Sequence, residues 1–380
     1  MRLSCLQENL SRGLGVVRRA VPSRTTLPIT QNVKLTTDGG RLQLSATNLE
    51  IAITTWVGAM IEEEGSVTVP AQLLGEFVAS LPPDTMSVTG STQPWGMELQ
   101  CGRFNARING ADPEEFPPIP NVEDGVGVKL SAQALRSAIG QTVFAAATEE
   151  SRPVLTGVKL EIEGDQLTLA AADGFRLAVH RGQLEEPVSE PVGVIIPART
   201  LTELNRFLTD SDEAVEMVVS PSRSQVLFRL TNIQMVSQLI QGNFPPFDDL
   251  VADATKEVKA SSVAVLSELL AASRSTSIFA RDSSGIIRVQ MVPGESGGKG
   301  QMVISSRAEE VGENTGEVEA EIVGEEAKIA FNSRYLIEVL SAMSGEKVRL
   351  ETSGPSRAGV FKSPESDHYL HLVMPMFVQW

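Results

Sequence analysis

The sequence predicts an α+β chain of three similar domains, each a set of helices packed on mostly antiparallel sheet. Three observations carry this expectation. The segment Leu27-Pro28-Ile29-Thr30-Gln31-Asn32-Val33-Lys34-Leu35 returns as Arg152-Pro153-Val154-Leu155-Thr156-Gly157-Val158-Lys159-Leu160, and the offset of 125 residues also sets Gly39 on Gly164, Leu42 on Leu167, Leu44 on Leu169 and Ala46 on Ala171. An apolar helical stretch follows Pro70 (70–81) and Pro197 (197–208), with a worn third copy from Asn332 to Met343 after the strand-like Ile329-Ala330-Phe331. One helical pattern alternates with several strand patterns in every copy, which is the order of an α+β domain. Repeats this long are whole domains rather than solenoid units, and 380 residues give each a core of its own.

Each domain is expected to open with an amphipathic helix, over Leu6–Arg19, Ser131–Ala146 and Ser262–Ser275. Leu6, Leu10, Leu14 and Val17 fall on one helical face, as do Leu135, Ile139 and Val143. Gly157–Glu163 and Gln166–Ala171 alternate as strands and meet at the tight turn Gly164-Asp165. Two Phe-Pro-Pro segments, Asp112–Pro120 and Gly242–Asp249, read as extended crossings, because proline fixes φ and lacks an amide donor. Phe116 and Phe244 would anchor them to the cores beside them. The domains are placed at 1–121, 127–252 and 257–380.

Composition narrows the function classes. Cys5 and Cys101 are too few for a disulfide framework and lack the paired spacing of a zinc site, so both are expected as inert buried thiols in a reducing compartment. No run approaches the roughly 18 apolar residues of a membrane span, and Met1–Glu8 lacks the apolar stretch of a signal peptide, which predicts a cytoplasmic protein without a membrane partner. Forty-eight acidic against 32 basic residues, a net charge of −16, argue against a surface that binds nucleic acid all over, while leaving room for a small basic zone.

The sequence offers no reaction centre. His180, His368 and His371 form neither a HExxH motif nor a Cys/His cluster, and the segment Tyr369–Met374 reads as a strand that sets His368 and His371 on opposite faces; no metal site is expected. Gly294–Gly300 resembles a phosphate loop, yet Gly300 stands where that motif needs Ser or Thr, and a hairpin tip is expected. Ala172-Asp173-Gly174-Phe175-Arg176 is a turn with no base or nucleophile arranged around it. Glu62–Glu64 and Glu185-Glu186 read as solvated faces. The helices carry Arg12, Arg18, Arg19, Arg136, Arg199, Arg206, Arg274 and Arg334 against Glu8, Glu76, Glu203, Glu268 and Glu338. That local excess of arginine suits helices turned toward a phosphate backbone, and it equally suits ordinary solvated helix surface.

Arg24–Ile29, Ala46–Glu50, Arg152–Gly157, Ala172–Ala178, Gly242–Pro245, Phe331-Asn332 and Val373–Met376 follow one another in a distinctive order and spacing. Through these segments the chain resembles, over its full length, the beta subunits of bacterial DNA polymerase III, the replicative sliding clamps. It implies a non-enzymatic processivity factor: a head-to-tail homodimer closing a six-domain ring, helices lining the hole and strands outside. Such a ring holds duplex DNA by encircling it, so weak, sequence-blind phosphate contacts suffice. No cofactor is implied, and the energy for opening would come from a separate loader.

By the same resemblance Arg24, in the loop after the first helix, and Arg199 face DNA, with Arg12, Arg136, Arg206, Arg274 and Arg334 as further candidates. Gln72, Leu73, Pro153 and Val154 depart from positions that are basic or aromatic in some members. A hydrophobic cleft for partner peptides is implied at Leu155, Ala172, Gly174, Phe175, Arg176, Leu177, Pro245, Leu250, Val360, Leu372, Val373, Met374, Pro375 and Met376. Ala172, Phe175, Asp249 and Phe377 replace residues common in the family and make the pocket more apolar. Implied partners are double-stranded DNA, a second copy of the chain, the replicative polymerase alpha subunit, the clamp loader, repair polymerases, ligase and mismatch repair factors. The dimer seam would set Ala106 and Ile108 against Ile278 and Phe279. Two other classes compete: a paralogue or peptide-binding scaffold that never encircles DNA, and a repeat-built enzyme with an interdomain site.

Overall fold

Each repeat follows the order β-α-β-β-β-β-α-β-β-β. The computed structural model describes residues 1–122, 124–149, 151–208, 213–281, 284–294, 299–308, 310 and 312–380. The first repeat holds β1 (Arg2–Leu6), α1 (Gln7–Val17), β2 (Asn32–Asp38), β3 (Arg41–Thr47), β4 (Ile51–Glu63), β5 (Ser66–Pro70), α2 (Ala71–Ser80), β6 (Thr85–Thr92), β7 (Trp95–Cys101) and β8 (Phe104–Asn109). The second holds β9 (Val126–Ser131), α3 (Ala132–Thr142), β10 (Gly157–Glu163), β11 (Gln166–Ala172), β12 (Arg176–Gln183), β13 (Val192–Pro197), α4 (Ala198–Asn205), β14 (Ala214–Val219), β15 (Gln225–Arg229) and β16 (Ile233–Gln238). An added helix, α5 (Phe247–Thr255), leads to the third: β17 (Ala260–Val265), α6 (Leu266–Arg281), β18 (Ile286–Val292), β19 (Gly300–Ala308), β20 (Gly312–Gly324), β21 (Ala327–Asn332), α7 (Ser333–Ala342), β22 (Lys347–Thr352), β23 (Gly359–Lys362) and β24 (Tyr369–Val373).

The α+β class, the hairpin at Gly164-Asp165 and the three proline- or asparagine-led helices stand as the sequence indicates. Four local expectations are corrected. Every repeat opens with a strand, so Leu6 lies in β1, half-exposed, while Leu10, Leu14 and Val17 of α1 are buried. Ser262–Val265 is strand rather than helix, because its alternating side chains fit a position paired on both sides, by β20 and β22. Val143 leaves α3 and starts a 3-10 turn, where it is half-buried. The second Phe-Pro-Pro segment is extended only to Pro246, since Phe247 enters α5 and takes the buried anchoring place expected of Phe244, which packs edge-on against it. Of the loop 294–300, residues 295–298 lie outside the described ones.

The chain divides into two compact units, Met1–Ala132 with Asp210–Leu239 and Gln133–Thr209 with Ile240–Trp380. Each contains one twelve-stranded antiparallel sheet. In the first, the path β8-β7-β6-β1-β4 continues through β16, β15 and β14 to β9, with β2, β3 and β5 branching from β4. In the second it runs β13-β10-β11-β12-β24-β23-β22-β17-β20-β19-β18-β21. The middle repeat therefore gives four strands to each sheet. Its junctions to its neighbours share one design: Ala52–Thr55 of β4 pairs with β3 on one side and β16 on the other, and Leu177–His180 of β12 pairs likewise with β11 and β24.

Helices lie close on their sheets. A Cβ placed on Gly13 of α1 would stand 2.6 Å from Val57 Cγ2 and 2.7 Å from Leu44 Cδ1, so the helix touches β3 and β4 through a residue without a side chain. In the second unit α6 packs on β19 and β20 and against α7, with Thr276 Oγ1 donating to Asn314 Oδ1 at 2.8 Å.

Candidate functional site

The turn Asp173-Gly174-Phe175 joins β11 to β12 and is built by its own residues. Asp173 Oδ1 accepts from the backbone N–H groups of Phe175 and Arg176 at 2.9 and 3.0 Å, an Asx turn, and Gly174 takes φ +93°, which a side chain would resist. Arg176 then points inward, its side chain 3% exposed. Its Nε donates to Asp173 Oδ2 at 3.0 Å, one terminal nitrogen to Glu338 Oε2 on α7, and the other to the Phe144 carbonyl at 2.6 Å. The guanidinium also lies 4.4 Å from the Tyr335 ring centre and 5.3 Å from that of Phe144. The protein thus holds this cation on several sides, and Arg176 fixes the turn from within.

Behind the turn, Leu177 and Leu372 face each other across β12 and β24 and join Ala170, Val179, Phe247 and Val360 in one buried cluster, with Ala172 and Val251 at its margin. Of the residues implied for the cleft, Leu155, Leu177, Val360, Leu372, Val373 and Pro375 are buried and form floor and core. The surface a partner can reach is Gly174, Phe175 at 63% exposure, Pro245, Leu250 at 54% and Met374 at 48%, with Ala172 and Met376 half-exposed. Met374 is fixed beside Phe175 because its N–H donates to the Phe175 carbonyl at 2.8 Å. Leu250 sits on α5, which is tied down by ion pairs Arg181–Asp248 (2.9 Å) and Arg357–Asp253 (3.0 Å).

Gly174, Phe175 and Arg176 also line a cavity of about 480 Å³ with Arg152, Arg334 and Tyr335. Sequence reasoning missed this cavity: Phe144 and Tyr335, which wall it, and Glu338, which holds Arg176, come from a 3-10 turn and a helix far off in sequence. The one available signal was the aromatic two residues before Ile337 in the third helical copy.

The arginines expected to face DNA are all exposed: Arg12 on α1, Arg24 in the bend after the 3-10 turn Arg18–Ala20, Arg136 on α3, Arg199 and Arg206 at the two ends of α4, Arg274 on α6 and Arg334 on α7. Arg206 is paired with Glu203 at 3.5 Å and Arg334 with Glu338 at 2.8 Å. Arg334 stands apart from the others in lining the cavity beside the turn.

Ala106 and Ile108 lie on β8, which pairs only with β7 among the described residues. Ile278 is exposed and Phe279 half-buried near the end of α6. Close by, Gly312–Glu319 of β20 pairs among the described residues with β19 on one side alone, and β17 joins the other side only from Ala320.

The three histidines do not meet at one place: His180 and His368 are neighbours and His371 lies apart in the core. His371 is fully buried on β24, stacked 5.4 Å from Phe144 and joined to the Tyr369 hydroxyl at 3.0 Å, and burial pushes its pKa down to about 3. His180 donates from Nδ1 to Gln141 Oε1 at 2.7 Å, and burial, then the neighbouring His368, lower it to about 4. His368 precedes β24 and is exposed. Among the described residues no group of three His, Cys, Asp or Glu side chains could hold a metal ion, and no helix is long and apolar enough to cross a membrane.

Models of the DNA polymerase III beta subunit match the chain in succession: the N-terminal domain over residues 1–120, the central domain over 129–246 and the C-terminal domain over 255–377. The beta sliding clamp of Synechococcus elongatus is 32% identical over 382 residues, and that of Bacillus subtilis 29% over 386, each alignment covering 99% of both chains. Among solved structures, the DNA polymerase sliding clamp from Bacillus subtilis superposes with a TM-score of 0.93 at 28% identity over the whole of both chains. The sliding clamp from Pseudomonas aeruginosa bound to griselimycin gives 0.89, again at 28% identity and full coverage of both. With three consecutive domains matched and the repeat reproduced strand for strand, the chain belongs to the DNA polymerase III beta subunit family, the beta sliding clamps.

Proposed function

We propose that two copies of this chain close head to tail into a ring around duplex DNA and tether the replicative polymerase and other replication proteins through the cleft beside Phe175 and Met374. The observation that carries the reading is the repeated junction. Within one chain, the fourth strand of a repeat pairs with the last strand of the next repeat twice, β4 with β16 and β12 with β24. A third junction of that kind would join β20 to β8, and both have an unpaired edge among the described residues. Two copies supply both edges twice, so reciprocal pairing closes these edges in each copy. Ala106 and Ile108 on β8, and Ile278 and Phe279 near the start of β20, are then seam residues.

The role requires no reaction at the protein: holding DNA is topological, and exposed arginines such as Arg24 and Arg199 supply screened phosphate contacts weak enough to permit sliding. The domains 1–121, 127–252 and 257–380 serve as the evolutionary units of this ring, and the clamp loader, repair polymerases, ligase and mismatch repair factors as further users of the cleft. A ring that encircles bacterial chromosomal DNA would act in the cytoplasm.

The test is retention on a nicked circular plasmid after incubation with a clamp loader and ATP. The protein is expected to stay with the circle through a high-salt wash and to leave when the circle is cut once. Equal retention on circle and linear DNA would mean direct binding in place of encirclement, and no retention on either would favour the scaffold reading.

A further inference from the structure

A second cavity, of about 380 Å³, lies at the other end of β12 from the turn at Gly174 and shares no residue with the first. Gly182 leaves it room. A Cβ there would stand 3.4 Å from His180 Nε2 and 3.9 Å from its Cδ2 and would meet nothing else within 4 Å, so the ring edge of His180 is open to the space above the glycine. Ala134, Ser137 and Gln141 of α3 recur at helical spacing along one wall. Ser344, just after α7, and Ser363 and Ser366, in the loop between β23 and β24, close the side that belongs to the third repeat.

The polar groups are ordered by bonds they already make. Gln141 gives Oε1 to His180 Nδ1 at 2.7 Å and turns Nε2 toward Ser344 Oγ at 3.5 Å. Nδ1 therefore carries the proton of the neutral ring, and Nε2 faces Gly182 as a bare acceptor. Burial, then His368, keeps the ring neutral by lowering its pKa to about 4. The hydroxyls have the opposite polarity. Ser363 Oγ accepts from the Glu365 N–H and Ser366 Oγ from the His368 N–H, each at 3.2 Å, so both keep an O–H to donate, as Ser344 does. In a chain with 48 acidic residues, no Asp or Glu lines this cavity among the described residues; Glu365 and Asp367 of the same loop are exposed outside it. Arg181 stands at the margin, shared with the exposed Asp248 at 2.9 Å.

Converging hydroxyl donors, a nearby cation and no carboxylate suit an anion. A bare acceptor among them asks for an anion that still carries a proton. Inorganic phosphate keeps a proton throughout the neutral range, whereas sulfate and the phosphodiesters of DNA have none and a phosphate monoester loses its last near pH 6. We infer that this cavity is a site for inorganic phosphate, with the hydroxyls of Ser344, Ser363 and Ser366 donating to its oxygens and His180 Nε2 accepting its remaining proton. The bound ion would bridge β12 and α3 of the second repeat to the loop before β24 in the third. The site depends neither on ring closure nor on the cleft beside Phe175.

The experiment is equilibrium dialysis of the full-length protein against radiolabelled inorganic phosphate at pH 7.5, in a buffer free of sulfate. Saturable binding is expected, and sulfate or adenosine 5′-monophosphate should displace the label about tenfold less well than unlabelled phosphate, because each leaves Nε2 without a donor. Gly182→Val sets a strand-compatible side chain against Nε2 and should abolish binding. Ser363→Ala combined with Ser366→Ala, at half-buried loop positions, should weaken it about tenfold, the size of a lost hydrogen bond to a charged group, with circular dichroism unchanged. No saturable binding, or binding unchanged in both variants, would overturn the site. Sulfate as effective as phosphate would overturn the role of His180 as proton acceptor, and an equally effective monophosphate would overturn free phosphate as the ligand.

Discussion

Arg176 shows what a single side chain does here and why a motif could not disclose it. The pattern Ala172-Asp173-Gly174-Phe175-Arg176 was legible as a turn and, through the family resemblance, as part of a binding surface. Its inward course was not, because the groups that capture it, Phe144 and Glu338, lie 32 and 162 residues away. A buried arginine demands satisfied partners on all sides, and those exist only in three dimensions. The histidines make the same point through acidity. His180 and His371 have values near 4 and 3, below the ordinary 6.5, so the folded chain refuses protons that the unfolded chain accepts. Above pH 6.5 neither state is protonated and nothing is lost. As the pH falls from 6.5 toward 4, stability declines, by about 2 kcal/mol for each of the two histidines at pH 5. Urea midpoints at pH 7.5 and pH 5 measure this: a clear drop is expected, shallower in His371→Gln, and identical midpoints would show that neither burial persists in solution.

Helices and hairpins were read well where local pattern and tertiary role agree, as at Gly157–Glu163, whose bounds coincide with β10. They were misread where pairing decides. Ser262–Val265 has the polar and small residues of a helix start, yet two neighbouring strands claim its backbone. Phe247-Asp248-Asp249 follows two prolines and reads as the end of an extended crossing, but Phe247 has a core to enter, and the residues through Thr255 coil into α5. Gly13 and Gly15 of α1 look alike in sequence and differ in setting. A side chain at 13 would run into Val57 and Leu44, whereas nothing stands within 4 Å of a Cβ at 15. Gly13→Val is expected to destabilise the protein by about 1–3 kcal/mol through overpacking. Gly15→Ala should instead stabilise it by about 0.5–1 kcal/mol through helix propensity. Denaturant titrations of the two variants check the pair, and equal shifts would mean that α1 does not sit against β3 and β4 as described.

At the scale of the molecule, the threefold repetition was legible because copied domains keep their landmarks. The division of strands between sheets was not: β16 pairs with β4, and β24 with β12, through backbone groups that carry no sequence signature. The unpaired edges of β8 and β20 among the described residues follow from that pairing, and the proposed seam rests on them. Ile278, exposed at the end of α6 near the unpaired stretch of β20, tests the proposed closure without disturbing a core. Ile278→Asp should shift the mass found by light scattering from twice the 40.8 kDa protomer toward a single one, with circular dichroism unchanged. An unshifted dimer would take the end of α6 out of the seam.

The split of the middle repeat has a consequence for anyone dissecting the gene. Cutting at the two Phe-Pro-Pro segments would yield three fragments that match the ancestral modules, yet none would be a fragment the present chain folds as. The cut after the first repeat strips β16 from β4, and the cut after the second strips β24 from β12, exposing a ladder of five residue pairs in each sheet. Duplication wrote this chain in thirds, but its contacts gather into two compact units.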